Sequence, residues 1–272
     1  MNKFIDEQLD LKEADILIFA GDNSHYPIHN KLLLEIISGR KMYKKIFVTF
    51  GNHDLYIINQ KQKKLYNTSF NKIQHLKQIC EEIEDVIFLD GNIVDINGVT
   101  IGGTCGWYDF SYGFNNFNLS LNEMLDIWKE SSNDSIRIQN TDNLGYIEIA
   151  GMSGFGYKIL PCTFNPLNFF ESEKEKIIKI IEECDIFVSH IGPAVPPNLD
   201  PLIFHHPLTG FYFFDGKNYL MKEKSPKLWI FGHLHESINF KINNTKLICN
   251  PLGYKDENVG NEIIVVDLFD LK

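Results

Sequence analysis

Lys45–Asp54 reads KIFVTFGNHD. Its first six residues are almost all β-branched or aromatic and show no alternation of apolar and polar. That is the pattern of a strand buried on both faces. It then breaks abruptly into glycine and three residues with oxygen or imidazole side chains. Three other stretches repeat this grammar. DILIFA (Asp15–Ala20) runs into Gly21-Asp22-Asn23, DIFVS (Asp185–Ser189) into His190, and KLWIF (Lys227–Phe231) into Gly232-His233-Leu234-His235. Four buried-type strands therefore each deliver a polar ligand at the C-terminal end. In open α/β sheets that edge is where ligands gather.

Between these strands the period changes to that of helices. Pro27–Ser38 places Ile28, Leu32 and Ile36 on one stripe, with Pro27 suited to a first turn and Gly39 to an end. Asn71–Ile83 does the same with Ile73, Leu76, Cys80 and Ile83, and Glu171–Glu183 with Ile177, Ile178 and Ile181, its charges directed outward. After Leu228 the pattern becomes short strands with tight turns: Ile238–Phe240, Lys246–Cys249 and Glu262–Val266. Residues 110–170 are rich in Asn, Ser, Gly and aromatics, with a helix predicted near Leu121–Lys129. So long a connection reads as a cap-like insertion. No linker divides the chain, so residues 1–272 are read as a single domain.

Composition narrows the function. The 272 residues carry 26 basic and 36 acidic side chains, a formal charge of −10. That argues against a nucleic-acid partner held by phosphate neutralisation. Five scattered cysteines without a CxxC pair form neither a disulfide framework nor a thiolate zinc site. The start lacks a signal-peptide pattern, and no apolar run approaches the roughly 20 residues of a membrane span. The expectation is a cytoplasmic protein with no membrane partner. Its oligomeric state is open.

Asp, Asn and several His without Cys suit a borderline divalent cation such as Mn, Fe, Zn or Ni. A lone Gly-Asp is usually a turn and a lone strand-end His a satisfied surface or core residue. Four such endings in chain order point instead to one shared site.

In these blocks the sequence resembles the calcineurin-like metallophosphoesterases, whose ordered signature is D-x-H, GD, GNH(D/E), a strand-terminal His, and GHxH. The last four appear here as GDN, GNHD, VSH and GHLH. The resemblance implies a four-layer α-β-β-α sandwich of the metallophosphoesterase type. It also implies hydrolysis of a small phosphorylated substrate, a phosphomonoester or phosphodiester, by a metal-bound hydroxide. Carried over residue by residue, Asp22 bridges two metals. Asn52, His190 and His233 complete one metal's shell, and His235 serves the other. His53 stabilises or protonates the departing oxygen, with Asp54 orienting its ring.

The D-x-H block is absent from this sequence. One metal keeps four ligands and the other only Asp22 and His235, fewer than the three or four that hold a divalent ion well. Three explanations stand. The chain is an incomplete version of a longer protein, lacking its first strand. Or a substitute ligand exists, His25 being the nearest. Or the protein is a one-metal or non-catalytic relative acting as a metal-binding or protein-interaction scaffold.

Overall fold

The computed structural model describes residues 14–140, 164–197, 199–254 and 263–267. β1 (Ile16–Ala20), β2 (Lys45–Thr49) and β3 (Val86–Phe88) form a parallel three-stranded sheet in that order. A second sheet has the order β4 (Asn92–Ile96), β5 (Val99–Gly103), β6 (Ile186–Val188), β7 (Leu228–Phe231), β9 (Thr245–Cys249), β8 (Ile238–Ile242). β5, β6, β7 and β9 run parallel, and β4 and β8 close the edges antiparallel.

The sheets bury a shared apolar layer of Phe47 and Leu89 from the first side and Ile101, Ile186, Val188, Leu228 and Ile248 from the second. Residues facing this layer on one side meet helices on the other, which is why β2 and β6 carry no period-2 signal. α1 (Pro27–Gly39) packs against α4 (Ser69–Glu81) on the first sheet, and α8 (Pro166–Ile180) covers β4 and β5. Between them lie α2 (Asn52–Leu55), α3 (Gln60–Tyr66), α5 (Ser111–Phe117), α6 (Leu121–Ser131) and α7 (Asp134–Arg137). This is the two-sheet α/β sandwich that the sequence implied.

Register fixes the site. Ala20 pairs with Thr49, so the chain leaves β1 and β2 at one edge. Val188 pairs with Ile230, so β6 and β7 end together as well.

Several local expectations change. α1 buries Asn30, Leu34 and Ile37, while Ile28 and Leu32 face solvent. The inward face carries Leu34 and Ile37, with Leu33 and Ile36 packed beside them, and Asn30 on that face donates to Asp54. α8 begins at Pro166, five residues earlier than expected, because the Asn165 side chain caps it by accepting from Leu167 and Asn168 N–H. It turns Glu173 inward, where the carboxylate accepts from Thr104 Oγ1 and Gly106 N and pairs with Lys176, and it leaves Ile178 exposed. The hairpin of β4 and β5 was not anticipated. Its signal is Asn97-Gly98, both at positive φ (55° and 83°), the geometry of a tight two-residue hairpin turn.

At the C-terminal end, Glu262 lies outside the described residues and 263–267 form no strand. Ile263 and Val266 still pack against the apolar clusters. Apolar burial is available there, but a strand also needs a backbone partner. Residues 1–13, where Phe4, Leu9 and Leu11 set among charges predict a helix, and the 141–163 portion of the insertion lie outside the described residues. Among the described residues β1 has β2 as its one strand neighbour.

Candidate metal centre

Each strand ending becomes a tight loop with its polar side chain aimed at one point. Gly21 and Asp22 sit at φ 88° and 60°, and His233 at φ 64°. Two non-glycine residues in the left-handed region at one edge is backbone strain of the kind that persists at functional sites. Gly51 is required for a different reason. A Cβ there would overlap the Asp22 carboxylate and lie 2.6 Å from the His190 ring. The loops after β1, β2 and β6 can approach this closely only if that position has no side chain.

Ligand atoms of Asp22, His190 and His233 lie within 4.8 Å of one another. His190 Nε2 is 3.2 Å from Asp22 Oδ2 and 3.1 Å from Asn52 Oδ1. His233 Nδ1 is 3.1 Å from the same Asn52 oxygen and 3.2 Å from His190 Nε2. Asp22 Oδ1 accepts from the His53 backbone N–H at 2.9 Å.

The tautomers follow from the outer nitrogens. His190 Nδ1 faces the Ala20 carbonyl at 2.7 Å, and His233 Nε2 faces the Phe211 carbonyl at 3.1 Å. A carbonyl only accepts, so both outer nitrogens carry hydrogen and the inner two present lone pairs. Two lone pairs and two oxygens facing one gap repel unless a positive charge occupies it. A proton on His190 or a divalent cation meets that need, and the donor set N, N, O, O suits the cation.

The electrostatics agree. Burial works against ionisation of Asp22, but the imidazoles of His190, His53 and His233 outweigh it and hold its carboxyl well below the usual range. Burial and the neighbouring His190 push His233 down to about 3. His190 moves the other way, because Asp22 more than offsets its own burial. Lys72, buried beneath the site, donates to the Tyr56 carbonyl at 2.7 Å.

The remaining expected residues lie around this group rather than in it. The His53 ring packs against His25 at 4.9 Å and Tyr56 at 4.6 Å, which themselves lie 5.9 Å apart so that the three rings form a triangle, and its Nε2 is 3.4 Å from the Tyr254 hydroxyl. Burial lowers its pKa. His235 packs edge-on to Tyr254 at 4.8 Å and does not join the Asp22, His190 and His233 group. His25 does not join it either. Its place is against His53, and burial pulls its pKa down to about 4.

Asp54 corrects an expectation. Its carboxylate does not orient the His53 ring. Oδ2 accepts from Gly51 N and Asp22 N, both at 2.9 Å, and Oδ1 from Asn30 Nδ2 at 3.3 Å. It brackets the two loops together by their backbones, and the imidazole is held by stacking instead.

One group escaped the sequence reading. Asn52 Nδ2 donates to Asp134 Oδ1 at 2.9 Å and to Tyr56 Oη at 3.0 Å. Asp134 is 82 residues from Asn52, and no spacing in the sequence connects them.

A model of the calcineurin-like phosphoesterases matches residues 1–237, so the chain belongs to that family. An uncharacterised protein of Acanthamoeba polyphaga mimivirus is 23% identical over 246 residues, covering 85% of this chain and 76% of its own length. Among solved structures, the phosphopantetheinyl hydrolase of Mycobacterium tuberculosis has the same fold, with a TM-score of 0.60 at 16% identity over 94% of this chain and 87% of that one. The family is metal-dependent, and its membership supports a phosphoesterase-type hydrolase. Among the described residues no helix is long and apolar enough to cross a membrane.

Proposed function

We propose that the chain hydrolyses a small phosphomonoester or phosphodiester around one divalent cation held by Asp22, Asn52, His190 and His233. The observation that carries this reading is the pair of inner imidazole nitrogens, both presenting lone pairs to a gap also lined by two oxygens. A cation in that set neutralises phosphoryl oxygens and lowers the pKa of coordinated water.

The chain's own residues supply the rest. Asp22 and the imidazoles fix where the phosphoryl group lies. His53 stands beside them with its backbone N–H on Asp22, so its ring position is coupled to that of the carboxylate. Its lowered pKa keeps the ring neutral near pH 7, a hydrogen-bond donor toward the departing oxygen. A bound phosphate's negative charge raises that pKa again and makes full proton transfer easier. Tyr254, half-exposed, places its hydroxyl 3.4 Å from His53 Nε2. The 1–272 span is read as one catalytic domain, with residues 110–170 as its insertion.

A second reading, a metal-binding or interaction scaffold, draws on the missing D-x-H block and on His235 lying outside the ligand group. Turnover of para-nitrophenyl phosphate and of its bis-ester with added manganese separates the two. The enzyme reading expects turnover that falls about 10²- to 10⁴-fold in His53→Ala. A folded, manganese-loaded chain without turnover would leave the scaffold.

A further inference from the structure

Asn52 is a two-faced ligand. Its carboxamide offers an oxygen on one side and an NH₂ on the other, and a half-turn about its last bond exchanges them. Only the oxygen can serve a cation. Something must hold it forward, and the structure supplies that from behind.

The carboxylate of Asp134 sits against Nδ2 at 2.9 Å. A carboxylate only accepts, so it tolerates the NH₂ and repels the amide oxygen. Asp134 is itself fixed by two phenols. Tyr56 Oη donates to Oδ1 and Tyr108 Oη to Oδ2, each at 2.6 Å. Trp128 Nε1 in turn donates to Tyr108 Oη at 2.6 Å. Asp134, Tyr56, Tyr108 and Trp128 are all buried. Every polar atom in the chain from indole to carboxamide has one assignable role, and reversing Asn52 would break it at the first link; without a cation the two imidazole lone pairs favour the NH₂, so the Asp134 carboxylate is what opposes that reversal.

We infer that Asp134 is a positioning residue for cation binding, locking the Asn52 carboxamide with its oxygen facing His190 and His233. Asp134 and Trp128 belong to α7 and α6, in the helical stretch after β5. That stretch thus reaches the back of the metal centre and sets a ligand there. The inference rests on the metal reading of the site.

The test is manganese titration calorimetry on the full, metal-stripped chain, with the melting temperature of each metal-free variant recorded alongside. Asp134→Asn weakens manganese binding about 10- to 100-fold, the usual scale for a partner that orients a ligand. Asn52→Asp alone also weakens it, because two carboxylates then face each other across the former hydrogen bond. The double exchange, Asn52→Asp with Asp134→Asn, restores a donor–acceptor pair of reversed sense. It recovers about tenfold or more of the single-variant loss.

A purely structural role for Asp134 predicts no such reciprocal rescue. Equal affinity in wild type and Asp134→Asn, or a double exchange as weak as the singles, would overturn the inference. Should Asp134→Asn not fold, Asp134→Ser decides: it withdraws the carboxylate from Asn52 Nδ2 while keeping a small polar side chain, and unchanged affinity in that variant overturns the inference too. A wild-type chain that binds no manganese would instead sink the metal reading, and this inference with it.

Discussion

His190 Nε2 and His233 Nδ1 face each other across 3.2 Å, while each ring's other nitrogen is tied to a main-chain carbonyl, Ala20 at 2.7 Å and Phe211 at 3.1 Å. The carbonyls decide the tautomers and so aim both lone pairs inward. Because Asp22 raises the pKa of His190, a proton and a divalent cation compete for the same gap. Manganese affinity should therefore fall as the pH drops through the raised His190 pKa and level off above it. Calorimetry between pH 5.5 and 8.5, in buffers of different ionisation enthalpy, reads both affinity and proton release. A flat profile without proton release would contradict the assignment.

Binding at this centre stabilises the folded chain, because the four ligands converge only after β1, β2, β6 and β7 are assembled. With free manganese at 100 times its Kd, the gain is about 2.7 kcal/mol, read as a rise in melting temperature. His190→Ala and His233→Ala should each lose that rise. A rise retained in both would place the cation elsewhere.

Asp54 Oδ2 accepts two backbone N–H groups from different loops, so Asp54→Ala leaves both without their acceptor. The expected cost is about 1–3 kcal/mol, measured by urea denaturation with an unchanged slope. The same variant should move the His53 titration, followed by NMR, less than Asp22→Asn does. Asp22 raises the His53 pKa and Asp54 does not touch its ring. The opposite ranking would return Asp54 to the ring-orienting role.

His25 has a folded pKa of about 4 against an ordinary 6.5, a base resisting protonation because it is buried against His53. Between those values the unfolded chain binds the proton more readily, so stability falls as pH drops from 6.5 to 4 and is level above 6.5. His25→Gln removes that part of the acid loss. The stability difference, wild type minus variant, should become less favourable across that window. A difference constant with pH would show that His25 is not the group responsible.

Which of these features could be read in advance follows from how far the relevant interactions reach along the chain. The buried strands at Lys45–Thr49 and Leu228–Phe231 were legible because unbroken β-branched and aromatic runs have few other uses. With the endings of Asp15–Ala20 and Asp185–Ser189, three of the four preceded by glycine, they pointed to one shared site of Asp22, Asn52, His53, His190, His233 and His235. The inner face of α1 was not legible because the helix carries a second apolar stripe, Leu33, Leu34 and Ile37, and only its packing against α4 and the sheet chooses between the two. The short hairpin at Asn97-Gly98 has a purely local signal, since two successive residues at positive φ specify a tight turn without any distant contact.

Sequence alone determined the candidate ligand types, their order, and the strands that carry them, since buried-strand patterning and glycine turns act over a few residues and leave their mark locally. Tertiary structure decided which of those side chains meet. It set His25 and His235 apart from the Asp22 group, turned Asp54 from the His53 ring to two backbone amides, and brought Asp134 behind Asn52. Those outcomes depend on hydrogen bonds and close packing between distant segments. Such contacts are specified by the register of the strands and the shape of the loops together, and not by any single stretch of residues.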